Sequence, residues 1–185
     1  DTLSAFDLLE RGAARIEEDL ADQPDVQAAM QHVMGGVYEN LGRYEEAEAL
    51  LVAALDTRRR LYGSDHLDVA ETERALGIVY RRLRDGDRAE PLLRHALDVQ
   101  RRRLGPDDPE AAYTQRHLAS LLRNRGEYDE AERLYRASLA SFRSTLGDDH
   151  PDVLDVKNSL SVLLEQTGQF DEAVGLMREG VAAQR

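Results

Sequence analysis

The fold is decided by residues 104–143, which read LGPDDPEAAYTQRHLASLLRNRGEYDEAERLYRASLASFR. The landmarks of this stretch recur every 42 residues on both sides of it. The recurring positions are Gly63, Gly105 and Gly147, and Ala47, Ala89, Ala131 and Ala173. A period of about 20 to 50 residues is typical of repeat proteins, in which each unit buries its apolar face only against its neighbours. The spacing therefore predicts a solenoid of repeated units.

Composition and length narrow the class of protein. The chain has 185 residues, no cysteine and a formal net charge of −12. Without cysteine it can hold neither a disulfide nor a thiolate metal site. The acidic charge argues against nucleic acid and anionic membranes as partners, since both require a basic surface. The longest apolar run, residues 49–55, is too short to span a bilayer, so no membrane contact is predicted.

Between the glycines the sequence alternates a first helix, a short loop, a second helix and a longer loop. Aspartate or proline stands at the start of each first helix. Aspartate accepts hydrogen bonds from the free amides there, and proline in the first turn costs no hydrogen bond, because an N–H group at that position has no partner within the helix. The predicted first helices are residues 24–41, 66–83, 108–125 and 150–167. The predicted second helices are residues 44–61, 87–103, 128–145 and 170–184.

Residues 2–20 overlay the second helix at 44–62 after a shift of 42 residues, which predicts a ninth helix at the start of the chain. The domain division that follows is a half repeat at residues 1–21 and four repeats at residues 22–185. Because the sequence starts without a methionine and ends inside a predicted helix, we expect it to be part of a longer protein.

The short loops carry a glycine and then an aromatic residue in three of the four repeats. Gly42, Gly126 and Gly168 suit the left-handed conformation that ends a helix. In the second repeat Arg84 takes the place of this glycine, and Pro91 removes a backbone hydrogen bond from the following helix. This corner is predicted to be the least stable of the four.

Equivalent positions pair small with large side chains, as close helix packing requires. The small positions of the first helices are Gly35, Gly77, Ala119 and Ser161, and the bulky positions of the second helices are Leu51, Leu93, Tyr135 and Met177. These columns predict the packed faces of the repeats.

The sequence resembles a tetratricopeptide repeat protein of the 42-residue kinesin-light-chain type. Three features carry the resemblance: the small residue late in each first helix, the G-x-[YF]-x-x-A corner, and the linkers LGPDDPEA and LGDDHPDV. The resemblance covers residues 22–185. It implies a right-handed superhelical solenoid of antiparallel helix pairs, with a ligand groove on the concave surface lined by the first helices.

Residues 1–27 also resemble the start of the repeat region in bacterial membrane-anchored serine/threonine kinases. They read DTLSAFDLLERGAARIEEDLADQPDVQ. No kinase glycine loop or catalytic loop is present in the sequence, so no phosphoryl chemistry is implied. The localisation that this second resemblance implies is extracytoplasmic, whereas a free repeat protein would be cytoplasmic, and the sequence leaves both open.

One stripe of the first helices is predicted to face the groove, and arginines cluster on it in the two central repeats. The candidate peptide-binding residues are Arg74, Arg81, Arg82, Arg116, Arg123, Tyr113, Asn124 and Asn158. Guanidinium groups bind carboxylates in pairs of hydrogen bonds, and asparagines can bind a peptide backbone, which favours an acidic peptide as ligand. The alternative is that Glu39, Glu71 and Glu165 neutralise these arginines as solvated ion pairs.

The family resemblance narrows the expected ligand. Its chaperone-binding members use a carboxylate clamp with asparagine in the column that holds Gly36, Ile78, Ser120 and Val162 here, so clamp-type recognition of a free C-terminus is not expected. Kinesin light chains take short acidic peptides that bear an aromatic residue, and the arginine columns are compatible with that.

Other polar clusters have a structural explanation. Arginine runs at residues 58–60 and 101–103 fall at the predicted ends of second helices, where cations meet the helix dipole favourably. His66 and His150 could suggest a metal site, but Asp108 is equivalent to them, which favours helix capping. The sequence predicts no catalytic residues, no metal and no cofactor, so an enzyme is not expected.

Two hypotheses for the function remain. The first is a protein-interaction module that binds a protein or peptide in the arginine-bearing groove. The second is a structural or self-association module within a larger bacterial signalling protein. The last helix supports the second hypothesis, because Ala173, Met177 and Val181 are predicted to lie uncovered and could form a homodimer.

Overall fold

The computed structural model describes Gly12, Arg15 and residues 20–182. Eight α-helices follow one another within residues 20–182: α1 (Pro24–Asn40), α2 (Tyr44–Tyr62), α3 (Leu67–Arg82), α4 (Gly86–Leu104), α5 (Pro109–Arg125), α6 (Tyr128–Leu146), α7 (Pro151–Gln166) and α8 (Phe170–Ala182). The predicted all-α alternation of first and second helices is confirmed, with each limit within two residues of its predicted place. The predicted helix at residues 2–20 falls almost entirely outside the described residues.

The chain divides into two compact units, Asp1–Leu92 and Leu93–Arg185, and the boundary falls inside α4. In the first unit α1 packs on α2 and α2 packs on α3. In the second unit α5, α6, α7 and α8 each pack on the next. Within each unit, therefore, helices that are consecutive in sequence are neighbours in space, as in a repeat architecture.

The predicted pairing of small with large residues is confirmed in the first helix pair. A Cβ atom on Gly35 would lie 2.6 Å from Cγ of Leu51, whose side chain is fully buried. The equivalent small residues of the second unit, Ala119 and Ser161, are buried as well. Close approach of α1 and α2 therefore depends on the absence of a side chain at Gly35.

The first helices of three repeats begin with a side-chain cap. The side chains of His66, Asp108 and His150 each accept a hydrogen bond from the backbone N–H two residues on, at distances of 3.2, 2.8 and 3.2 Å. The imidazoles bind through Nδ1, in the same role as the Asp108 carboxylate. The interpretation of these residues as helix caps is therefore confirmed.

The corner at Arg84 adopts the backbone conformation that glycine has at the other corners. Gly42, Gly126 and Gly168 have φ of 74°, 82° and 80°, and Arg84 has φ of 62°. A left-handed conformation brings the Cβ of an L-residue too close to the following carbonyl oxygen and costs about 1–2 kcal/mol. Backbone strain is therefore localised at this corner, which was predicted to be the least stable of the four.

We expect Arg84→Gly to raise the free energy of unfolding by up to about 1 kcal/mol, because the relief of strain exceeds the entropy that glycine adds to the unfolded chain. Gly126→Ala is the matched control, since a Cβ there meets nothing within 4 Å and only the backbone is strained. It should lower stability by a similar amount. Urea unfolding of both variants would measure the two shifts, and a loss of stability in Arg84→Gly would contradict the assignment.

Two details of the sequence interpretation are wrong. Ala173, predicted to be uncovered, is only 1% exposed, and the equivalent Ala47 and Ala131 are fully buried as well. Met177 is exposed as predicted, and the Val181 side chain lies outside the described residues. Arg58 does not serve the C-terminal end of α2: it is buried and reaches across to α3.

Candidate functional site

In the first unit, the predicted groove residues lie on α3. Arg74 and Arg81 are partly exposed and Arg82 is exposed. Nε of Arg82 lies 3.5 Å from Oε1 of Glu39 on α1. This ion pair is one that the alternative interpretation requires, in which Glu39, Glu71 and Glu165 neutralise the arginines (the neutralisation hypothesis).

Glu71 is the electrostatic centre of this surface. Its carboxylate lies 3.5 Å from Nε2 of His32 and 3.4 Å from Nη1 of Arg58. The hydrogen bond from His32, together with the nearby guanidinium groups of Arg58 and Arg74, lowers the pKa of Glu71 from its ordinary value of 4.5 to about 2. Glu71 therefore stays ionised and offsets part of the positive charge on α3.

This lowered pKa predicts an acid-sensitive contribution to stability. A carboxyl group whose pKa is lower in the folded chain stabilises the fold above pH 4.5 and loses that contribution as the pH falls towards 2. We expect Glu71→Gln to lose less stability than the wild type over this range. Chemical unfolding at several pH values would measure it, with Glu45→Gln, an exposed carboxylate on α2, as the control. Parallel pH profiles for wild type and Glu71→Gln would contradict the assignment.

In the second unit, Tyr113 and Arg116 on α5 bind carboxylates on α7. The Tyr113 hydroxyl donates to Asp152, and Nη1 of Arg116 lies 3.2 Å from Asp155 and 3.7 Å from Asp152. Burial, followed by the hydrogen bond to Asp152, raises the pKa of Tyr113 to about 12. Its ring also packs edge-on against Phe142 at 4.7 Å. This cluster joins two neighbouring first helices.

Three of the contacts between first helices share one offset in sequence. His32 meets Glu71, Tyr113 meets Asp152 and Arg116 meets Asp155, and each partner stands 39 residues further on. The offset is the 42-residue period less three residues, or about one helical turn. Sequence reasoning missed Asp152 and Asp155 as partners, although this offset would have found them.

Arg123, Asn124 and Asn158 differ from the other predicted residues. Arg123 is partly exposed and the two asparagines are exposed. Among the described residues, none of the three has an ion pair or a side-chain hydrogen bond. The position 39 residues after Arg123 is Val162, which is exposed and carries no charge. The predicted neutralising residue Glu165 likewise forms no ion pair within the described part of the chain.

The two interpretations of the arginines therefore apply to different residues. Arg82 lies beside Glu39, one of the three carboxylates that the neutralisation hypothesis names, whereas Arg116 lies beside Asp152 and Asp155, which it does not name. In the second unit Arg123, Asn124 and Asn158 have no such partner among the described residues.

The described residues contain neither a cluster that could hold a metal ion nor a helix that could span a membrane. Residues 20–182 contain no group of three or more His, Asp or Glu side chains placed to hold a metal ion. Within the same range, no helix combines the length and the apolar character needed to cross a bilayer.

The tetratricopeptide repeat family model matches the sequence three times, at residues 26–102, 75–123 and 110–185. No curated protein matches it significantly.

Solved structures match nearly the whole chain. BtubC (BKLC) from P. vanneervenii is 21% identical with a TM-score of 0.83, over 97% of this chain and 72% of that one. A kinesin-light-chain-type protein with nearly identical TPR-like repeats from Podosopora anserina is 23% identical with a TM-score of 0.72, over 95% and 87% of the two chains. YrrB, a TPR protein with an unusual peptide-binding site, is 21% identical with a TM-score of 0.67, over 98% and 81%. At these identities the likeness is one of fold.

Proposed function

The chain belongs to the tetratricopeptide repeat family, and from that premise we propose that it binds an acidic peptide segment of a partner protein along its first helices. Membership of the family supports a protein–protein interaction module in general, and no catalytic family is indicated. The peptide-binding site described for YrrB supports a peptide as one kind of ligand for this fold. The acidic character of the ligand is argued from the residues of this chain alone.

The observation that carries the proposal is the state of Arg123. Its guanidinium group has no carboxylate partner among the described residues, in a chain whose net charge is −12. The neighbouring Asn124 and the exposed Asn158 can each donate to and accept from a peptide backbone. Val162, exposed on α7, offers an apolar contact. A peptide that combines a carboxylate with an apolar side chain matches this set.

The proposed site differs from the sequence prediction in the weight given to each residue. Arg116 is only 19% exposed and already paired, so we assign it to the joint between α5 and α7. We assign Tyr113 to the same contact between α5 and α7, because its hydroxyl donates to Asp152. In the first unit Arg74, Arg81 and Arg82 remain candidates, with Glu39 and Glu71 as competing anions.

We expect Arg123→Glu to weaken the binding of acidic peptides at least about tenfold, because a charge-assisted hydrogen bond contributes roughly 1.5–3 kcal/mol. The probe is a set of labelled decapeptides selected on the wild-type protein from a random display library, and binding is measured by fluorescence anisotropy. The selected peptides should be enriched in aspartate and glutamate, and their affinity should fall with added salt.

The control is Arg101→Glu, which makes the same charge change at an exposed place on the second helix α4. Its affinity should match that of the wild type. Arg116→Glu is a separate arm, because it places like charges beside Asp152 and Asp155 and should lower stability instead. Equal loss of affinity in Arg101→Glu and Arg123→Glu, or peptides without acidic enrichment, would overturn the proposal.

A further inference from the structure

One ion pair joins the C-terminal turns of the two first helices in the first unit. Nε of Arg82 on α3 lies 3.5 Å from Oε1 of Glu39 on α1, and the two residues stand 43 positions apart. The Glu39 side chain is 20% exposed and that of Arg82 is 50% exposed, so the pair lies at the surface. In the first unit, a carboxylate of the chain itself thus occupies the place beside Arg82.

The equivalent place in the second unit holds a different pair of groups. Two 42-residue periods lead from Glu39 to Arg123 on α5 and from Arg82 to Gln166 on α7. Arg123 is partly exposed and Gln166 is exposed. Neither side chain has an ion pair or a hydrogen bond with any described residue. A cation and a neutral amide therefore stand where the first unit has an anion and a cation.

The neighbours of Arg123 on α7 follow from the two offsets. The offset of 39 residues that joins Tyr113 to Asp152 places Val162 opposite Arg123. The offset of 43 residues that joins α1 to α3 places Gln166 beside Arg123 as well, about one helical turn beyond Val162. Val162 is 39% exposed. Arg123 thus faces one apolar side chain and one amide, and both are accessible.

We propose that Arg123 and Gln166 together bind one side-chain carboxylate of the acidic peptide, and that Gln166 is the residue that allows this subsite to exist in the second unit. The guanidinium group donates through a fork of two N–H groups and the amide donates one more, so the carboxylate is held from both α5 and α7. Val162 contacts the apolar part of the same peptide residue. This inference rests on the proposed function, which assigns the acidic peptide to Arg123.

The charge of residue 166 explains the difference between the units. A neutral amide adds a donor and does not compete with the ligand for the guanidinium group. In the first unit Glu39 does compete, because it supplies the carboxylate from within the chain. The first unit therefore fills with its own side chain the place that the second unit offers to the peptide.

The test changes residue 166 and measures the affinity of the acidic decapeptides selected on the wild type. Gln166→Leu removes the amide donor at constant charge and should weaken binding about threefold to tenfold, the usual loss for one hydrogen bond. Gln166→Glu should weaken it at least about tenfold, because the new carboxylate takes the ligand's place beside Arg123. Ala140→Glu, which adds the same charge at an exposed place on α6, should leave the affinity unchanged.

Unfolding gives a readout that needs no peptide. If residue 166 lies beside Arg123, Gln166→Glu forms a new ion pair with it. Arg123→Gln should then lower the free energy of unfolding more in the Gln166→Glu background than in the wild type. Equal losses in the two backgrounds would overturn the placement of both residues in one subsite.

The first unit supplies a gain of function. Glu39→Gln leaves an amide and a guanidinium group there, the same two groups as in the second unit with their helices exchanged. We expect this change to restore part of the acidic-peptide binding that Arg123→Glu removes, and Arg82→Gln to abolish it again. Glu45→Gln, which removes the same charge from an exposed place on α2, should restore nothing. Failure of Glu39→Gln to restore binding would overturn the role given to Glu39.

The outcomes separate this inference from the proposed function. If the wild type selects no acidic peptides, or if Arg123→Glu binds them as the wild type does, the proposed function fails and the subsite fails with it. If Arg123→Glu weakens binding but Gln166→Leu and Gln166→Glu do not, the proposed function stands and only the subsite is overturned.

Discussion

Arg58→Ala is expected to lower the free energy of unfolding by about 3 kcal/mol, because charge-assisted hydrogen bonds are lost at a buried place. The Arg58 side chain is 8% exposed and runs from α2 to α3. Its Nη1 donates to the backbone carbonyl of Asp68 at 2.8 Å and to the Thr72 hydroxyl at 2.7 Å. Truncation leaves these acceptors without this donor and also removes the packed aliphatic part of the side chain.

The next repeat supplies the control for this prediction. Gln100 is equivalent to Arg58, is buried, and accepts a hydrogen bond of 2.6 Å from Thr114, which is equivalent to Thr72. Arg58→Gln should therefore keep a bond to Thr72 and lose clearly less stability than Arg58→Ala. Chemical unfolding of the three proteins would decide it. Equal losses in the two variants would mean that the glutamine amide does not replace the guanidinium group in this contact.

Gly35→Ala is expected to lower the free energy of unfolding by about 1–3 kcal/mol, the usual cost of overpacking a filled core. The added Cβ would lie 2.6 and 2.9 Å from Cγ and Cδ2 of Leu51. Because the Leu51 side chain is fully buried, it cannot move aside without disturbing other core residues. The helices α1 and α2 would have to separate slightly.

The neighbouring glycine provides a control of opposite sign. A Cβ on Gly36 meets nothing within 4 Å, and the residue lies inside α1. Gly36→Ala should therefore raise stability by about 0.5–1 kcal/mol, through the better helix propensity of alanine. Thermal or urea unfolding of the two variants measures the contrast. A loss of stability in both would indicate that α1 is strained as a whole, and a gain in both would show that Leu51 yields freely.

The helices and their order could be predicted from the sequence because their causes are local. The 42-residue period, the capping residues His66, Asp108 and His150, and the corner glycines act within one or two turns of chain, so each can be recognised without knowing what lies opposite. The need for a small residue at Gly35 could also be predicted from the sequence, since the aligned repeats carry small residues at this position. Family membership followed from the same features.

The partners of the charged groove residues could not be obtained in this way, because a side chain on one first helix meets the next helix at an offset that packing determines. The arginine cluster was visible in the sequence, yet only the tertiary structure assigns Arg116 to Asp155, Arg82 to Glu39 and no described carboxylate to Arg123. Arg58 was placed at the end of a helix by its position in the chain, whereas packing buries it against α3. The sequence by itself determined the repeat, its helices and its family. The tertiary structure decided which arginines lie beside a carboxylate within the described part of the chain, since such pairing depends on distances between helices that no local pattern records.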